Sequence, residues 1–338
     1  VCLGVLCGMV WSSEASAKAR EKYHMVFVPN PGAAEIETMG RLGLPLDDAR
    51  EVPDGIEIPL RVSDIALLDG REISHQIVRE DLEAHYAKIC EENLKNLPPK
   101  SDEDPVNMKY GSMGGFYTFE EIVADLDLMH VLYPDICSEK VIIGYGWEKN
   151  PIYMVKISDN VDIDEDEPEG LFDALHHARE PGSYTCLIYA MWNLLENYGK
   201  NPEMTYLVDN RELYFVPVVN PDGLLNNQET NPKGGGMWRK NMRANDDGSF
   251  GVDLNRNYSY QWGYDDNGSS PIPGQNTYRG PKPASEPETQ AMVAFADEHS
   301  FTTGMTVHTY SGMFLTAYGY DEVEPEHLDV HMDYLEWC

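Results

Sequence analysis

Two residues with metal-binding side chains, His177 and Glu180, lie three positions apart in the segment LHHAREP, residues 175–181. An apolar run precedes this segment and a helical pattern follows it, and α/β sheets bind ligands where their strands end. An imidazole nitrogen and a carboxylate oxygen at such a turn can face one point, and Zn²⁺ accepts both kinds of ligand atom. The pair alone is also compatible with a salt-linked start of a helix, so its interpretation depends on the rest of the chain.

Further motifs follow downstream. They are MWRKN at 237–241, GVDLNRNY at 251–258, SEPET at 285–289 and TVHTYS at 306–311. Together with residues 175–181, these motifs resemble the zinc carboxypeptidases of the carboxypeptidase A family, especially its bacterial members. The resemblance covers about residues 110–320. It implies an α/β fold in which a mixed β-sheet is covered by helices on both faces.

The resemblance implies a metal site that holds one Zn²⁺ ion through His177, Glu180 and His308. A catalytic zinc uses three protein ligands plus water, and this combination is the established one for carboxypeptidase A. The two histidines are 131 positions apart, a separation that suits the family. The implied reaction is hydrolysis of C-terminal residues from peptides by zinc-activated water, with peptide or protein C-termini as the partners.

The same resemblance implies roles for five substrate-contacting residues. Arg239 matches the catalytic arginine that polarises the scissile carbonyl and holds the oxyanion. Asn255 and Arg256 match the pair that binds the terminal carboxylate, for which a planar guanidinium is well suited. Arg179 and Tyr310 match residues that line neighbouring substrate subsites.

Two alternatives remain open at this point. One is a hydrolase of the same fold acting on cell-wall peptides or amino-acid conjugates. The other is a non-catalytic binding protein that retains zinc but lacks a general base. In the family the general-base glutamate and the side-chain pocket lie well beyond the second zinc histidine, whereas this sequence ends 30 residues after His308. We therefore expect the base to lie outside the sequence.

Composition excludes some classes of partner. The chain has 338 residues, a formal net charge of −33 and 42% hydrophobic residues, enough apolar residues to bury a core. No basic stripe is available to neutralise phosphates, so nucleic acid is not an expected partner. Residues 1–17 read as an incomplete signal peptide, an apolar run followed by an A-x-A-like site. We expect a secreted or periplasmic protein that is monomeric and not inserted in a membrane.

Four segments are predicted along the chain. They are the signal peptide at 1–17, a small α/β accessory domain or pro-domain at 18–95, a linker at 96–109, and the catalytic domain at 110–338, incomplete at its C-terminus. The small domain is predicted to alternate strands and helices. Its predicted strands are 23–29, 56–62 and 74–80, and its predicted helices are 33–43, 63–70 with a Ser63 cap, and 81–95.

Hydrophobic periodicity predicts the main elements of the larger domain. Its predicted helices are 116–134, with a capping box from Thr118 to Glu121, and 181–199; its predicted strands are 141–146, 152–158, 170–177 and 213–219. We expect a turn at residues 221–223 and a buried Cys186. His327 and His331 are four positions apart but lack the glutamate of a zincin helix, so we interpret them as a solvated helix face.

Overall fold

The computed structural model describes residues 21–101, 104–310, 312–321 and 323–337. The predicted signal peptide therefore lies outside the described residues. The strands are β1 (Tyr23–Pro29), β2 (Arg50–Val52), β3 (Gly55–Arg61), β4 (Gln76–Arg79), β5 (Val141–Tyr145), β6 (Pro151–Ile157), β7 (Glu169–Ala174), β8 (Glu212–Val216) and β9 (Phe301–Val307). The α-helices are α1 (Ala33–Arg41), α2 (Val62–Asp69), α3 (Leu82–Lys95), α4 (Phe119–Leu132), α5 (Pro181–Asn197), α6 (Pro202–Asp209), α7 (Pro221–Thr230), α8 (Pro287–Asp297) and α9 (Leu328–Trp337).

The first part of the chain forms a small sheet with the strand order β2-β3-β1-β4. The central strands β1 and β3 pair antiparallel over their whole length, and β4 pairs antiparallel with β1. Val26 and Val28 alternate inward along β1 and pack with Met39 of α1 and Leu68 of α2. We call β1–β4 with α1–α3, residues 23–95, the N-terminal unit.

A larger mixed sheet has the order β5-β6-β8-β7-β9. Its β5-β6 and β6-β8 pairs are antiparallel, whereas β7 pairs parallel with both β8 and β9. Successive side chains of the central strand β8 point to opposite faces of the sheet. Phe215 packs in the cluster that includes Trp192 of α5, and Tyr214 packs in the cluster that includes Phe295 of α8. Helices therefore cover both faces, which confirms the predicted fold class.

Most of the predicted elements are present, with two local errors. α4 has the predicted capping box, in which the Thr118 side chain accepts a hydrogen bond from the N–H of Glu121. Ser63 is not a cap, because α2 begins one residue earlier and the Asp64 carboxylate accepts from the N–H of Arg61. The predicted turn at 221–223 is the first turn of α7, since proline is tolerated at the first helical position.

The expectation of a buried Cys186 is also wrong. Cys186 is exposed on α5, whose buried face is formed by residues at helical spacing such as Tyr184, Leu187 and Met191. The three cysteines in the described part of the chain, Cys90, Cys137 and Cys186, are free thiols. None of the described helices has the length and apolar character to cross a bilayer.

The N-terminal unit packs against the larger sheet through a loop and a helix. In the loop, the N–H of Gly268 donates to the carbonyl of Gly40, and Asn276 bonds both Tyr23 and Asp64. Leu82 of α3 packs with Tyr23 in a small apolar cluster that also contains Met237, from the loop before Arg239. These contacts hold the unit beside the carboxyl ends of the parallel strands.

Candidate metal and carboxylate-binding site

Parallel strands bring together residues that are far apart in the sequence. Strand β7 ends at Ala174, earlier than predicted, and Leu175 follows with a positive φ of 58°. The bend is followed by His176 and His177, and Glu180 stands at the N-cap of α5. Ala174 is in register with Val307, the last residue of β9. His308 therefore emerges at the same sheet edge as His177.

The three predicted metal ligands lie close together at this edge. Nδ1 of His177 is 2.7 Å from Oε1 of Glu180, and Nδ1 of His308 is 2.8 Å from Oε2 of Glu180. One ligand atom from each residue lies within 4.8 Å of the other two. His177 and Glu180 are buried, whereas His308 is partly exposed. Two imidazole nitrogens and one carboxylate oxygen, open on one side, fit a zinc ion with room for a fourth ligand.

Asp253 links this cluster to Arg239. Its Oδ1 is 3.1 Å from Nε2 of His177, and its Oδ2 accepts from Nε and Nη2 of Arg239 at 3.1 and 2.9 Å. Burial opposes the charge of Asp253, but Arg239 and His177 outweigh burial and hold its pKa well below the usual range. A carboxylate on Nε2 orients the ring so that Nδ1 faces the metal position. Asp253 was not predicted as a site residue, although an acidic residue between the apolar Val252 and Leu254 could have indicated it.

Two acidic residues of the N-terminal unit meet the predicted substrate arginines. Asp47 and Asp48 lie in a short 3₁₀ turn, Leu46–Asp48. Arg239 donates from Nη2 to Asp47 at 2.6 Å and from Nη1 to Asp48 at 2.9 Å. Arg256 donates to Asp47 at 3.1 Å, and Arg179 donates to Asp48. Burial opposes ionisation of Asp47, but Arg239 and Arg256 outweigh it and lower its pKa. Nothing in the sequence pattern pointed to this pair of aspartates.

The other predicted substrate residues surround this carboxylate cluster. The Tyr310 hydroxyl donates to the backbone carbonyl of Asp48 at 3.0 Å. The Arg179 guanidinium lies 5.4 Å from the centre of the Tyr23 ring, a distance suited to a cation–π contact. Asn255 lies beside Arg256 and is exposed, and its backbone N–H donates to Asp253. All the predicted substrate residues thus lie around one cleft.

His176 has a different environment from that of its neighbour His177. Its Nε2 is 2.7 Å from the hydroxyl of Tyr258, and its ring stacks on that of His308 with 5.9 Å between centroids. Burial lowers the pKa of His176 to about 3, so the ring is neutral. Tyr258 was not predicted as part of the site. His331 lies on α9 and His327 precedes that helix, and neither belongs to the clustered donor sets of the described residues.

A mixed sheet with a His-Glu-His cluster at the ends of parallel strands, beside buried arginines, defines a class of α/β zinc metalloproteins. Residues 122–335 match the zinc carboxypeptidase family, peptidase M14. The chain belongs to this family, whose members carry one zinc ion.

Known relatives agree with this assignment. The chain is 32% identical to carboxypeptidase A2 of Mus musculus over 262 residues, which are 77% of this chain and 58% of the relative. It is 32% identical over 268 residues to human mast cell carboxypeptidase A, covering 78% of this chain and 59% of the relative. The chain therefore spans less than two thirds of the length of these relatives.

Solved structures share the fold. Carboxypeptidase A from Helicoverpa armigera superposes with a TM-score of 0.72 and 21% identity, covering 92% of this chain and 75% of that one. Thrombin-activatable fibrinolysis inhibitor superposes with a TM-score of 0.66 and 22% identity, covering 91% of this chain and 76% of that one.

Proposed function

We propose that the protein is a zinc-dependent metallocarboxypeptidase that removes C-terminal residues from peptides. The observation that carries this proposal is the position of Asp47 and Asp48, whose carboxylates are held by Arg239, Arg256 and Arg179 beside the metal ligands. A cleft that binds carboxylates of its own chain in this way has the charges needed to bind the terminal carboxylate of a peptide. Family membership supports the same reaction.

The roles of the residues follow from their positions. His177, Glu180 and His308 would hold the zinc ion, which supplies Lewis-acid chemistry at this position when bound. Arg239 is completely buried and fixed by Asp253, so its charge is already oriented toward the cleft, as an oxyanion-stabilising group requires.

The remaining residues would bind and orient the substrate. Arg256 with Asn255 would bind the terminal carboxylate, and Arg179 with Tyr310 would contact the next residues of the peptide. Peptide or protein C-termini are therefore the proposed substrates.

We also propose that residues 18–95 act as a pro-segment. While Asp47 and Asp48 occupy the arginines, a substrate carboxylate cannot bind them, so the N-terminal unit must move away before a peptide enters. The exposed segment around residues 96–101, within the proposed linker at 96–109, offers a place for the chain to be cut. We propose further that the protein is exported through residues 1–17 and acts as a monomer.

The decisive experiment compares peptides that differ only at the C-terminus. The product of the complete gene, loaded with zinc and freed of residues 18–95, is incubated with a peptide ending in a free carboxylate and with its C-terminal amide. Mass spectrometry should show stepwise loss of C-terminal residues from the free acid and none from the amide. Hydrolysis confined to cell-wall peptides or acyl-amino acids would identify the alternative hydrolase. Zinc binding without hydrolysis of any of these would indicate a binding protein.

A further inference from the structure

The guanidinium of Arg256, the proposed partner of the terminal carboxylate, is oriented by a loop of the zinc carboxypeptidase domain. Its Nε donates to the backbone carbonyl of Gly268 at 2.7 Å. Its Nη1 donates to the carbonyl of the adjacent Asn255 at 3.2 Å, and its Nη2 donates to Asp47 of the N-terminal unit at 3.1 Å. Once Asp47 has moved away, the bond to Gly268 still fixes the plane of the guanidinium, because Nε belongs to that plane. The position of the Gly268 carbonyl therefore decides how Arg256 meets a carboxylate.

The loop that contains Gly268 is in contact with the N-terminal unit. The N–H of Gly268 donates to the carbonyl of Gly40 at 3.1 Å, and Nη1 of Arg61 donates to the carbonyl of Gly274 at 3.0 Å. Both contacts are lost when the N-terminal unit moves away from the cleft. The loop then depends on contacts within the zinc carboxypeptidase domain for its conformation.

Arg279 contacts this loop on both sides of Gly268. Its Nη1 donates to the backbone carbonyl of Asp265 at 3.1 Å and to that of Ser269 at 2.7 Å. The same Nη1 lies 2.9 Å from Oδ1 of Asp266. Because these partners precede and follow Gly268 in the chain, one guanidinium fixes the short segment that presents the Gly268 carbonyl to Arg256.

Arg279 is itself held by the zinc carboxypeptidase domain. Its guanidinium lies 5.2 Å from the centre of the Trp262 ring, a distance suited to a cation–π contact. Nε1 of Trp262 donates to the backbone carbonyl of Arg279 at 3.0 Å, and the backbone N–H of Arg279 donates to the carbonyl of Ser270 at 3.0 Å. The Arg279 side chain is only 11% exposed. None of these contacts involves the N-terminal unit, so they remain when that unit is removed.

We propose that Arg279 is a positioning residue for the substrate: it holds residues 265–269 so that the Gly268 carbonyl orients Arg256 toward the terminal carboxylate of a peptide. This role rests on the proposed function, in which Arg256 binds that carboxylate. The side chain of Arg256 is 20% exposed, so without the Gly268 carbonyl it can adopt other rotamers. An arginine that is fixed before the substrate arrives loses less conformational freedom on binding. Ordering one mobile side chain lowers affinity by about 2–10-fold.

Binding of a free acid and of its amide measures the contact with the terminal carboxylate separately from the rest of the peptide. The probes are benzoyl-glycyl-phenylalanine and its C-terminal amide. The protein is the product of the complete gene, freed of residues 18–95, and a chelator removes zinc so that neither probe is hydrolysed. Calorimetry should show that the unsubstituted protein binds the acid at least about tenfold more tightly than the amide. Arg279→Gln should reduce this preference about fivefold, whereas a purely structural role would weaken acid and amide equally.

Lys282→Gln is the matched control, because it removes one positive charge three positions further along, at an exposed site. It should retain the preference for the acid. An unchanged preference in Arg279→Gln would overturn the proposal, and so would an equal loss in Lys282→Gln, which would indicate a general effect of charge. Absence of any preference in the unsubstituted protein would also overturn it.

A second pair of variants decides the question if Arg279→Gln does not fold. Gly268 has a φ of 71°, which a β-branched residue strongly disfavours, but a Cβ there would meet no atom within 4 Å. Gly268→Val should therefore fold, displace the carbonyl and lower the preference for the acid. Gly274→Val, in the same loop, also has open space for its Cβ and no positive φ, and should retain the preference. Equal preferences in these two variants would overturn the proposal.

Restoring zinc separates this inference from the proposed function. Arg279→Gln should then hydrolyse the free acid with a raised KM and an unchanged kcat, because the lost contact acts on ground state and transition state alike. Hydrolysis with the same KM as the unsubstituted protein would reject the positioning role alone. A preference for the acid that depends on Arg279, without hydrolysis of any peptide, would reject the peptidase and leave the positioning role standing.

Discussion

Asp48 and Arg239 form a buried ion pair between the N-terminal unit and the larger sheet. Nη1 of Arg239 donates to Oδ2 of Asp48 at 2.9 Å, and the two residues are 191 positions apart in the chain. The side chain of Arg239 is 0% exposed and that of Asp48 is 5% exposed. Removing one partner of such a pair leaves an uncompensated buried charge. While this pair is formed, Nη1 of Arg239 is already bonded to a carboxylate of the N-terminal unit.

Replacing Asp48 by asparagine should loosen the N-terminal unit. Loss of one partner of a buried pair costs about 3–5 kcal/mol, so the intact chain should release the cleft more often. In the zinc-loaded product of the complete gene, still uncut in the linker, we expect Asp48→Asn to hydrolyse a free-acid peptide at least tenfold faster than the unsubstituted protein. Asp54→Asn, in an exposed turn of the same unit, should behave like the unsubstituted protein. Equal rates for both variants would show that Asp48 does not restrict access.

Zinc stoichiometry tests the ligand set directly. The folded chain should bind one zinc ion, and His308→Ala should bind it at least tenfold more weakly, because a catalytic zinc needs three protein ligands and only two would remain. His331→Ala is the matched control, since His331 lies on α9 outside the clustered donors. Metal analysis after dialysis against a zinc buffer provides the measurement. Loss of zinc from His331→Ala with retention in His308→Ala would contradict the assignment.

Asp253→Asn should weaken zinc binding without removing a ligand. The amide cannot provide the negative charge that orients His177 and balances Arg239. Residues that hydrogen-bond a metal ligand typically contribute a factor of about 10–100 to metal affinity. Competition with a chelator of known zinc affinity measures the change. Asp246→Asn, in an exposed part of the same loop region, should retain full affinity. Unchanged affinity in Asp253→Asn would mean that the carboxylate does not position His177.

Glu288 should make the stability of the fold depend on pH. Burial raises its pKa to about 8, so the folded protein retains a proton that the unfolded chain has lost above its ordinary value of 4.5. The free energy of unfolding should therefore fall as the pH rises from about 4.5 to 8, by up to about 5 kcal/mol.

Glu288→Gln should remove this dependence, because the amide keeps the shape and a hydrogen-bonding group but has no proton to lose. Urea unfolding at several pH values gives the difference between the variant and the unsubstituted chain. Glu298→Gln, at an exposed position beyond the same helix, should retain the original pH profile. If the stability of Glu288→Gln changes with pH as much as that of the unsubstituted chain, other groups cause the pH dependence.

The elements around the site could be predicted from local patterns. Alternating and continuous apolar residues identified the strands near β7 and β8, and the Thr118–Glu121 pair identified the start of α4. The resemblance of the later motifs to a known family implied a set of site residues, and the fold brings these side chains to one cleft. The predicted helices and strands are present because periodicity and capping are properties of neighbouring residues.

The local patterns failed at the starts of two helices. Ser63 resembled a cap, but α2 begins at Val62 and the Asp64 carboxylate accepts from the N–H of Arg61, the residue before the helix. Pro221 resembled a turn residue, yet at the first position of α7 a proline does not disrupt the helix.

The motifs of the sequence were sufficient to recognise the family of this protein, and that resemblance implied the candidate metal ligands and arginines. They did not reveal that Asp47 and Asp48 bind those arginines, or that Asp253 couples His177 to Arg239. Each of these relationships joins segments whose distance depends on how two sheets pack. The residues next to an aspartate in the sequence do not indicate which cation it will bind, because ion pairing in a buried site depends on position in space and not on position in the chain.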